Sequence, residues 1–205
     1  MTGWDDPSRL QTVLDSLGGV PPHRPAELLF QWQRLARLRP SVFIEVGSRH
    51  GLGLRCWAEA CAEDALVIAV DWPNQGWGAE GSLDLLRKNL RVIQDGGRDI
   101  GLILGDSHSK EVQQEVMCML DGRPVDAVHI DGDHTYRGSK LDWEFFSPLV
   151  RPGGLVMLHD VHPVQKNEHI QVHRVFSEIE QTHRTESLML YETNCGAGVV
   201  WIDGV

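Results

Sequence analysis

The sequence predicts an α/β fold: a parallel sheet with helices on both faces. Three observations predict it. Five short apolar runs recur along the chain, segments of helical period lie between them, and each run ends in a carboxylate or glycine turn. Residues 1–24 are polar, carry Gly18-Gly19 and Pro21-Pro22, and read as a short helix followed by a loop. From Ala26 to Leu38, apolar residues at Leu28, Leu29, Trp32, Leu35, Ala36 and Leu38 mark an amphipathic helix, stopped by Arg39-Pro40. The expected core strands are Val42–Val46, Leu66–Val70, Ile100–Leu104, Val125–Ile130 and Leu155–Leu158. Helices are expected near Leu52–Ala62, Ser82–Gln94, Lys110–Leu120 and Ser139–Leu149. In the tail, Ser187–Glu192 and Gly198–Trp201 suit an antiparallel hairpin at the sheet edge. The expected organisation is a helical segment over residues 1–40, able to line an acceptor site, and one domain over residues 41–205.

The stretch Glu45-Val46-Gly47-Ser48-Arg49-His50-Gly51 is the most informative local pattern. It places a carboxylate at the end of a buried strand and then turns through glycines into a helix, where small residues let a ligand approach the backbone N–H groups. A dinucleotide fingerprint would read G-x-G-x-x-G around a pyrophosphate. Here the pattern is E-x-G-x-x-x-G, and the acid would repel a pyrophosphate while suiting a cationic or amino-bearing ligand. The turn therefore points to S-adenosylmethionine (SAM) rather than NAD.

Composition narrows the partners. The net charge is −10 with no basic block, so nucleic acid is a poor electrostatic match. The four cysteines form no C-x-x-C pair, as expected of a reduced, cytoplasmic protein. No apolar run approaches the ~20 residues needed to span a bilayer, and the N-terminus lacks the pattern of a signal peptide.

Ligands of parallel α/β sheets bind at the carboxyl ends of the strands. Those ends carry Glu45 and Gly47; Asp71 and Trp72; Gly105-Asp106-Ser107-His108; Asp131-Gly132-Asp133-His134; and His159-Asp160 with His162 beyond. Every core strand thus delivers a carboxylate to one rim. Asp71 suits the two hydroxyls of an adenosine ribose. Trp72 either stacks on a purine or packs on the sheet. Asp106-Ser107 either bonds the adenine edge or, through Asp106, caps the helix from Lys110. Asp131, His159 and Asp160 form a candidate site for one divalent ion. Oxygen-rich ligation favours Mg²⁺ or Mn²⁺, and the imidazole shifts preference toward Mn²⁺, Fe²⁺, Co²⁺ or Zn²⁺. Of the ten histidines, His129 reads as core and His23, His50 and His183 as surface. His134, His162, His169 and His173 flank the rim, and His134 and His162 stand as unranked candidates for a general base.

With these residues in view, the chain from about Val42 onward resembles the class I SAM-dependent methyltransferases. Glu45 to Gly51 matches their first motif, Asp71 their ribose-binding acid, and Gly105-Asp106-Ser107 their adenine-side motif. Ile130-Asp131-Gly132-Asp133-His134-Thr135-Tyr136 with Arg151-Pro152-Gly153-Gly154 through His159-Asp160 looks like the small "class 24" group, grouped with cephalosporin hydroxylase and macrolide-sugar O-methyltransferases. The resemblance implies a Rossmann-like sheet of seven strands in the order 3-2-1-4-5-7-6 with strand seven antiparallel. It implies cofactor contacts from Glu45, Gly47, Ser48, Gly51, Asp71, Trp72, Asp106, Ser107 and Asp131. Metal-dependent relatives place acids after strands four and five; His159 departs from that pattern. The implied reaction is O-methylation of a small hydroxylated metabolite or sugar, assisted by a divalent metal (Mg²⁺ or Mn²⁺) at Asp131, His159 and Asp160. A nearby histidine or Lys166 would take the proton. Trp4, Trp77 and Trp143 are candidates to line the acceptor pocket, and a homodimer is common for such domains. Two alternatives stand beside this: a metal-dependent phosphoesterase, which would need an Asp/His ligand pair where Glu45-Val46-Gly47 stands, and a non-catalytic binding protein on the same fold.

Overall fold

The computed structural model describes residues 3, 5–18, 22–73, 82–163, 167–190 and 195–204. The five apolar runs become β1 (Val42–Val46), β2 (Leu66–Asp71), β3 (Asp99–Leu104), β4 (Val125–Ile130) and β5 (Val150–His159). With β6 (Arg184–Leu188) and β7 (Ala197–Trp201) they form one sheet in the order β3-β2-β1-β4-β5-β7-β6. β1 to β5 run parallel, and β7 is antiparallel to both neighbours, as the resemblance implies.

Strand alternation splits the core into two layers. Phe43, Val67, Ala69, Ala127, Leu155 and Met157 face α1 (Pro7–Ser16), α2 (Pro25–Leu38), α3 (Leu52–Ala60) and α4 (Ser82–Asp95). Ile44, Val46, Ile68, Val128, Val156 and Leu158 face α5 (Lys110–Leu120), α6 (Tyr136–Phe146) and α7 (Val172–Ile179). Caps set several helix starts. Asp6 accepts from the Ser8 N–H, Ser109 from Val112 and Thr135 from Gly138, whereas α3 begins at Gly51 with no side-chain cap. No described helix is long and apolar enough to cross a membrane.

Four elements differ from expectation. The strand expected at Leu155–Leu158 begins five residues earlier, at Val150, and runs to His159. The strand expected at Ser187–Glu192 lies at Arg184–Leu188, and residues 191–194 are outside the described set. It is a polar edge strand, so its sequence lacks the apolar alternation that marks a half-buried one. α7 falls in a stretch with no expected helix, yet Val172, Val175, Phe176 and Ile179 recur at helical spacing and are all buried. The helix expected at Ser139–Leu149 starts earlier, at the Thr135 cap, and gives way to a 3₁₀ turn at Ser147–Leu149.

One buried polar side chain joins a helix to the sheet near the rim. Gln31 on α2 donates through Nε2 to the carbonyls of Leu158 and Gly198, each at 3.0 Å. Replacing it with leucine removes both bonds and sets an apolar group against two carbonyl oxygens. Gln31→Leu should therefore destabilise the fold by about 1–3 kcal/mol in urea unfolding, and an unchanged midpoint would show that these bonds contribute nothing net.

Candidate active site

Sheet register lines up the rim. Val46 pairs with both Val70 and Ile130, and Ile130 pairs with Leu158, so the next residues, Asp71, Gly47, Asp131 and His159, form a row across the strand ends. Two backbone bonds fix the row: Gly47 N–H to Val70 carbonyl at 2.8 Å and Asp131 N–H to Val46 carbonyl at 2.9 Å. Gly47 has φ +89°, and a β-carbon there would overlap the Asp131 carbonyl, so only glycine fits. The row thus has a step free of side chains between two carboxylates.

On the β2 side, Asp71 Oδ2 accepts the Arg49 N–H at 2.7 Å, which ties the glycine turn to the neighbouring strand. Burial pushes the Asp71 carboxyl up, with Glu45 adding to it against the Arg49 bond. At Gly51, with φ +74°, a β-carbon would crowd Leu86 and Asn89, and Asn89 Nδ2 donates to the His50 carbonyl at 2.8 Å. Ser48 Oγ is buried without a partner. Trp72 is 51% exposed, so it does not pack on the sheet.

Glu45, expected at the rim, lies one layer below it. It is buried, accepts from Trp57 Nε1 at 2.9 Å and stands 3.2 Å from His129 Nδ1. The reason is strand alternation: Glu45 and His129 are register partners on the face covered by α2 and α3. Asp106 does not cap α5, a role taken by Ser109; it accepts the His108 N–H at 3.0 Å. Ser107 turns away from the rim and donates its hydroxyl to Asp142 Oδ1 at 2.7 Å. Asp142, fully buried on α6, belongs to no motif that would single it out in the sequence.

On the β4 and β5 side, the expected triad of Asp131, His159 and Asp160 is not what assembles. His159 Nδ1 faces Asp131 Oδ1 at 3.6 Å, and His23 Nε2 lies 3.9 Å from Asp131 Oδ2. His23, expected on the surface, is only partly exposed, with its ring 4.7 Å from that of His159. Among the described residues, His23, Asp131 and His159 are the one group of three whose ligand atoms lie within 4.8 Å of each other. Asp160 follows His159 and projects differently, with φ +58°; its Oδ2 meets His134 Nδ1 at 2.6 Å, while its Oδ1 stays 3.4 Å from His159 Nδ1. Behind His159, Glu27 Oε2 is 3.4 Å from Nε2, and Glu27 Oε1 accepts the Gly196 N–H at 3.0 Å. Burial and the charge of His159 press His23 down to about 3. For His159, burial is outweighed by Asp131, Glu27 and Asp160, which raise it to about 9. Burial opposes the Asp131 carboxylate too, but the surrounding imidazoles hold its pKa below the ordinary value.

The base candidates separate clearly. His134 is oriented by Asp160 and presents Nε2 3.6 Å from Asp131 Oδ1. His162 is drawn toward the β5–β7 side, where its N–H donates to the Cys195 carbonyl at 2.8 Å and its ring leaves no room for a β-carbon on Gly196. Lys166, Trp4 and Trp77 lie outside the described residues. Trp143 packs edge-on to His183, about two turns along α6 from the rim. The sequence offered one hint of the missed residues: Glu27 and Gln31 are polar positions four apart on the buried face of α2, shortly after His23.

His108 supplies a pH test of the β3 turn. Its pKa is raised above 6.5, first by the bond to Asp142 and then by the charges of Asp142 and Asp106, against burial. A folded-state value above the unfolded one means that the protonated ring stabilises the fold. That contribution is complete below pH 6.5 and is lost as pH rises through the raised value. Thermal midpoints of wild type and His108→Gln should therefore converge as pH climbs from below 6.5. Curves that stay parallel over the range would show that the charged pair contributes nothing.

Residues 44–161, more than half of the chain, match a family profile described as a methyltransferase domain. An uncharacterized protein of Sinorhizobium fredii, y4gI, is 26% identical over 127 residues, covering 60% of this chain and 13% of that protein's length. The O-methyltransferase from Bacillus cereus in complex with SAH is similar in structure, with a TM-score of 0.64 at 16% identity over 95% of this chain and 90% of that one. The O-methyltransferase TomG from Streptomyces achromogenes, involved in tomaymycin synthesis and solved with SAM, gives 0.65 at 13% identity over 96% and 89% of the two chains. At such identities the structural likeness is one of fold, and the profile match carries the family. With the glycine turn, Asp71 at the end of β2 and the 3-2-1-4-5-7-6 sheet in place, the chain belongs to the methyltransferase-domain family, among the class I SAM-dependent methyltransferases.

Proposed function

We propose that this protein transfers the methyl group of SAM to a hydroxyl oxygen of a small hydroxylated metabolite or sugar. The observation that carries the proposal is the rim row itself: a side-chain-free step at Gly47, flanked by Asp71 on one side and by Asp131 with His134 on the other. The O-methyltransferase relatives of the same fold support oxygen as the acceptor atom.

The residues fit the methyl donor. Asp71 commits Oδ2 to the Arg49 N–H and keeps a second oxygen for ribose hydroxyls. The half-exposed Trp72 offers an indole face to a purine. Ser48 Oγ, buried without a partner, and the uncapped start of α3 offer donors to a carboxylate. When bound, SAM supplies an electrophilic methyl on a sulfonium. The protein's part is to align the acceptor oxygen with that methyl and to take its proton. His134 suits the role of proton acceptor, because Asp160 holds Nδ1, fixing the ring and leaving Nε2 free for the proton. A divalent metal at Asp131, when bound, would lower the pKa of the acceptor hydroxyl.

Calorimetry with SAM and SAH, followed by transfer of a labelled methyl to a panel of hydroxylated acceptors, tests the reading; binding of neither cofactor form would end it. Asp71→Ala should weaken SAM affinity by about 1–3 kcal/mol, the scale of hydrogen bonds to a charged group, and unchanged affinity would move the ribose site elsewhere. His134→Gln should lower kcat by roughly 10²–10⁴-fold while SAM still binds; a kcat within a few-fold of wild type would remove His134 as the base.

A further inference from the structure

His23 enters the rim from the segment before α2, and neither the glycine motif nor the strand order accounts for it. Ligand atoms of His23, Asp131 and His159 come from three separate segments and converge within 4.8 Å, with His23 Nε2 3.9 Å from Asp131 Oδ2 and His159 Nδ1 3.6 Å from Asp131 Oδ1. A shell of metal–ligand bonds near 2.1 Å holds neighbouring donor atoms about 3–3.5 Å apart, so small side-chain movements would close this group around an ion.

Two further observations point to a ligand here. Asp131 Oδ1 is buried and accepts no hydrogen bond; the ring nitrogens of His134 and His159 both stop at 3.6 Å. A buried carboxylate oxygen without a donor is costly unless a ligand completes it. Behind His159 stands the almost fully buried Glu27, with Oε2 facing Nε2 and Oε1 held by the Gly196 N–H. A carboxylate behind an imidazole fixes the tautomer and leaves the lone pair of the other nitrogen, here Nδ1, for a metal.

We propose that His23, Asp131 and His159 bind one divalent transition-metal ion as a set of two imidazoles and one carboxylate. Two nitrogen donors select Co²⁺, Zn²⁺, Mn²⁺ or Fe²⁺ over Mg²⁺, which takes oxygen ligands and retains water. Asp160 stands outside the set: His134 holds its Oδ2, and although its Oδ1 lies 3.4 Å from His159 Nδ1, its oxygens do not converge with the group of three. The site ties the N-terminal segment to the rim and leaves coordination positions for water or an acceptor oxygen. Its purpose rests on the methyl-transfer reading, but its existence does not.

The test is titration of metal-free protein with Co²⁺ in the absence of SAM, followed by visible absorption and calorimetry. The expected result is one equivalent bound, with Mg²⁺ binding at least about 100-fold more weakly than Co²⁺. His23→Ala should weaken Co²⁺ by about 100-fold or more, Glu27→Gln by about 10–100-fold, and Asp160→Asn by less than about 3-fold. Circular dichroism checks that each variant folds. X-ray absorption on the wild-type Co²⁺ complex, which needs no variant, should count two imidazole ligands. No stoichiometric Co²⁺, a His23→Ala protein that binds like wild type, or a metal with fewer than two imidazoles overturns the proposal. SAH affinity of the same wild-type protein separates the two ideas: lost SAH binding with Co²⁺ retained defeats the methyl-donor reading alone, and the reverse defeats the metal site alone.

Discussion

At the centre of the strand ends, the turn after β1 and the turn after β4 compete for one volume, and the Asp131 carbonyl occupies the space a side chain on Gly47 would need. The geometry of the rim follows from this contact. Because Gly47 yields the space, its N–H reaches Val70 and the Asp131 N–H reaches Val46, so three strand ends lock together. The chain then leaves through a left-handed turn that delivers the Arg49 N–H to Asp71 and starts α3 uncapped. A larger residue would separate β1 from β4 and break the row of strand ends.

Beneath the rim lies a polar layer that a sheet face seldom carries. Glu45 and His129 sit side by side on β1 and β4, with Trp57, Gln31 and Glu27 reaching down from the helices above. Burying such groups is unfavourable unless each finds a partner. Most do: Glu45 takes the indole N–H, Gln31 takes two carbonyls, and Glu27 takes the Gly196 N–H. Unpartnered atoms nonetheless gather here, on Glu45 Oε2, Ser48 Oγ, His129 Nε2 and Asp131 Oδ1. Polar atoms left incomplete at one rim are the mark of a site shaped for ligands rather than for stability alone.

The sequence was legible where spacing alone carries meaning. Apolar runs, turn glycines and strand-end acids located five strands, most helices and the row of Asp71, Gly47 and Asp131. It was less legible where residues adjacent in sequence part in space. His159 and Asp160 read as one ligand pair, but strand alternation holds His159 toward α2, and Asp160 turns to His134 instead. Ser107 reads as a rim donor, yet its hydroxyl belongs to an aspartate 35 residues further along. β6 and α7 escape the sequence reading for opposite reasons: one is a polar edge strand, and the other is a short periodic helix within what reads as a loop.

By itself the sequence determined the order of the first five strands, most of the helices between them and the identity of the glycine turn, because these follow from local backbone geometry and the two-residue and 3.6-residue periods. Only the tertiary structure decided which polar groups meet. His23 joins Asp131 and His159 from more than a hundred residues away in the chain, and Glu27 lies 132 residues from the histidine it backs. No local period encodes such pairings, because they depend on how α2 and the segment before it settle on the finished sheet.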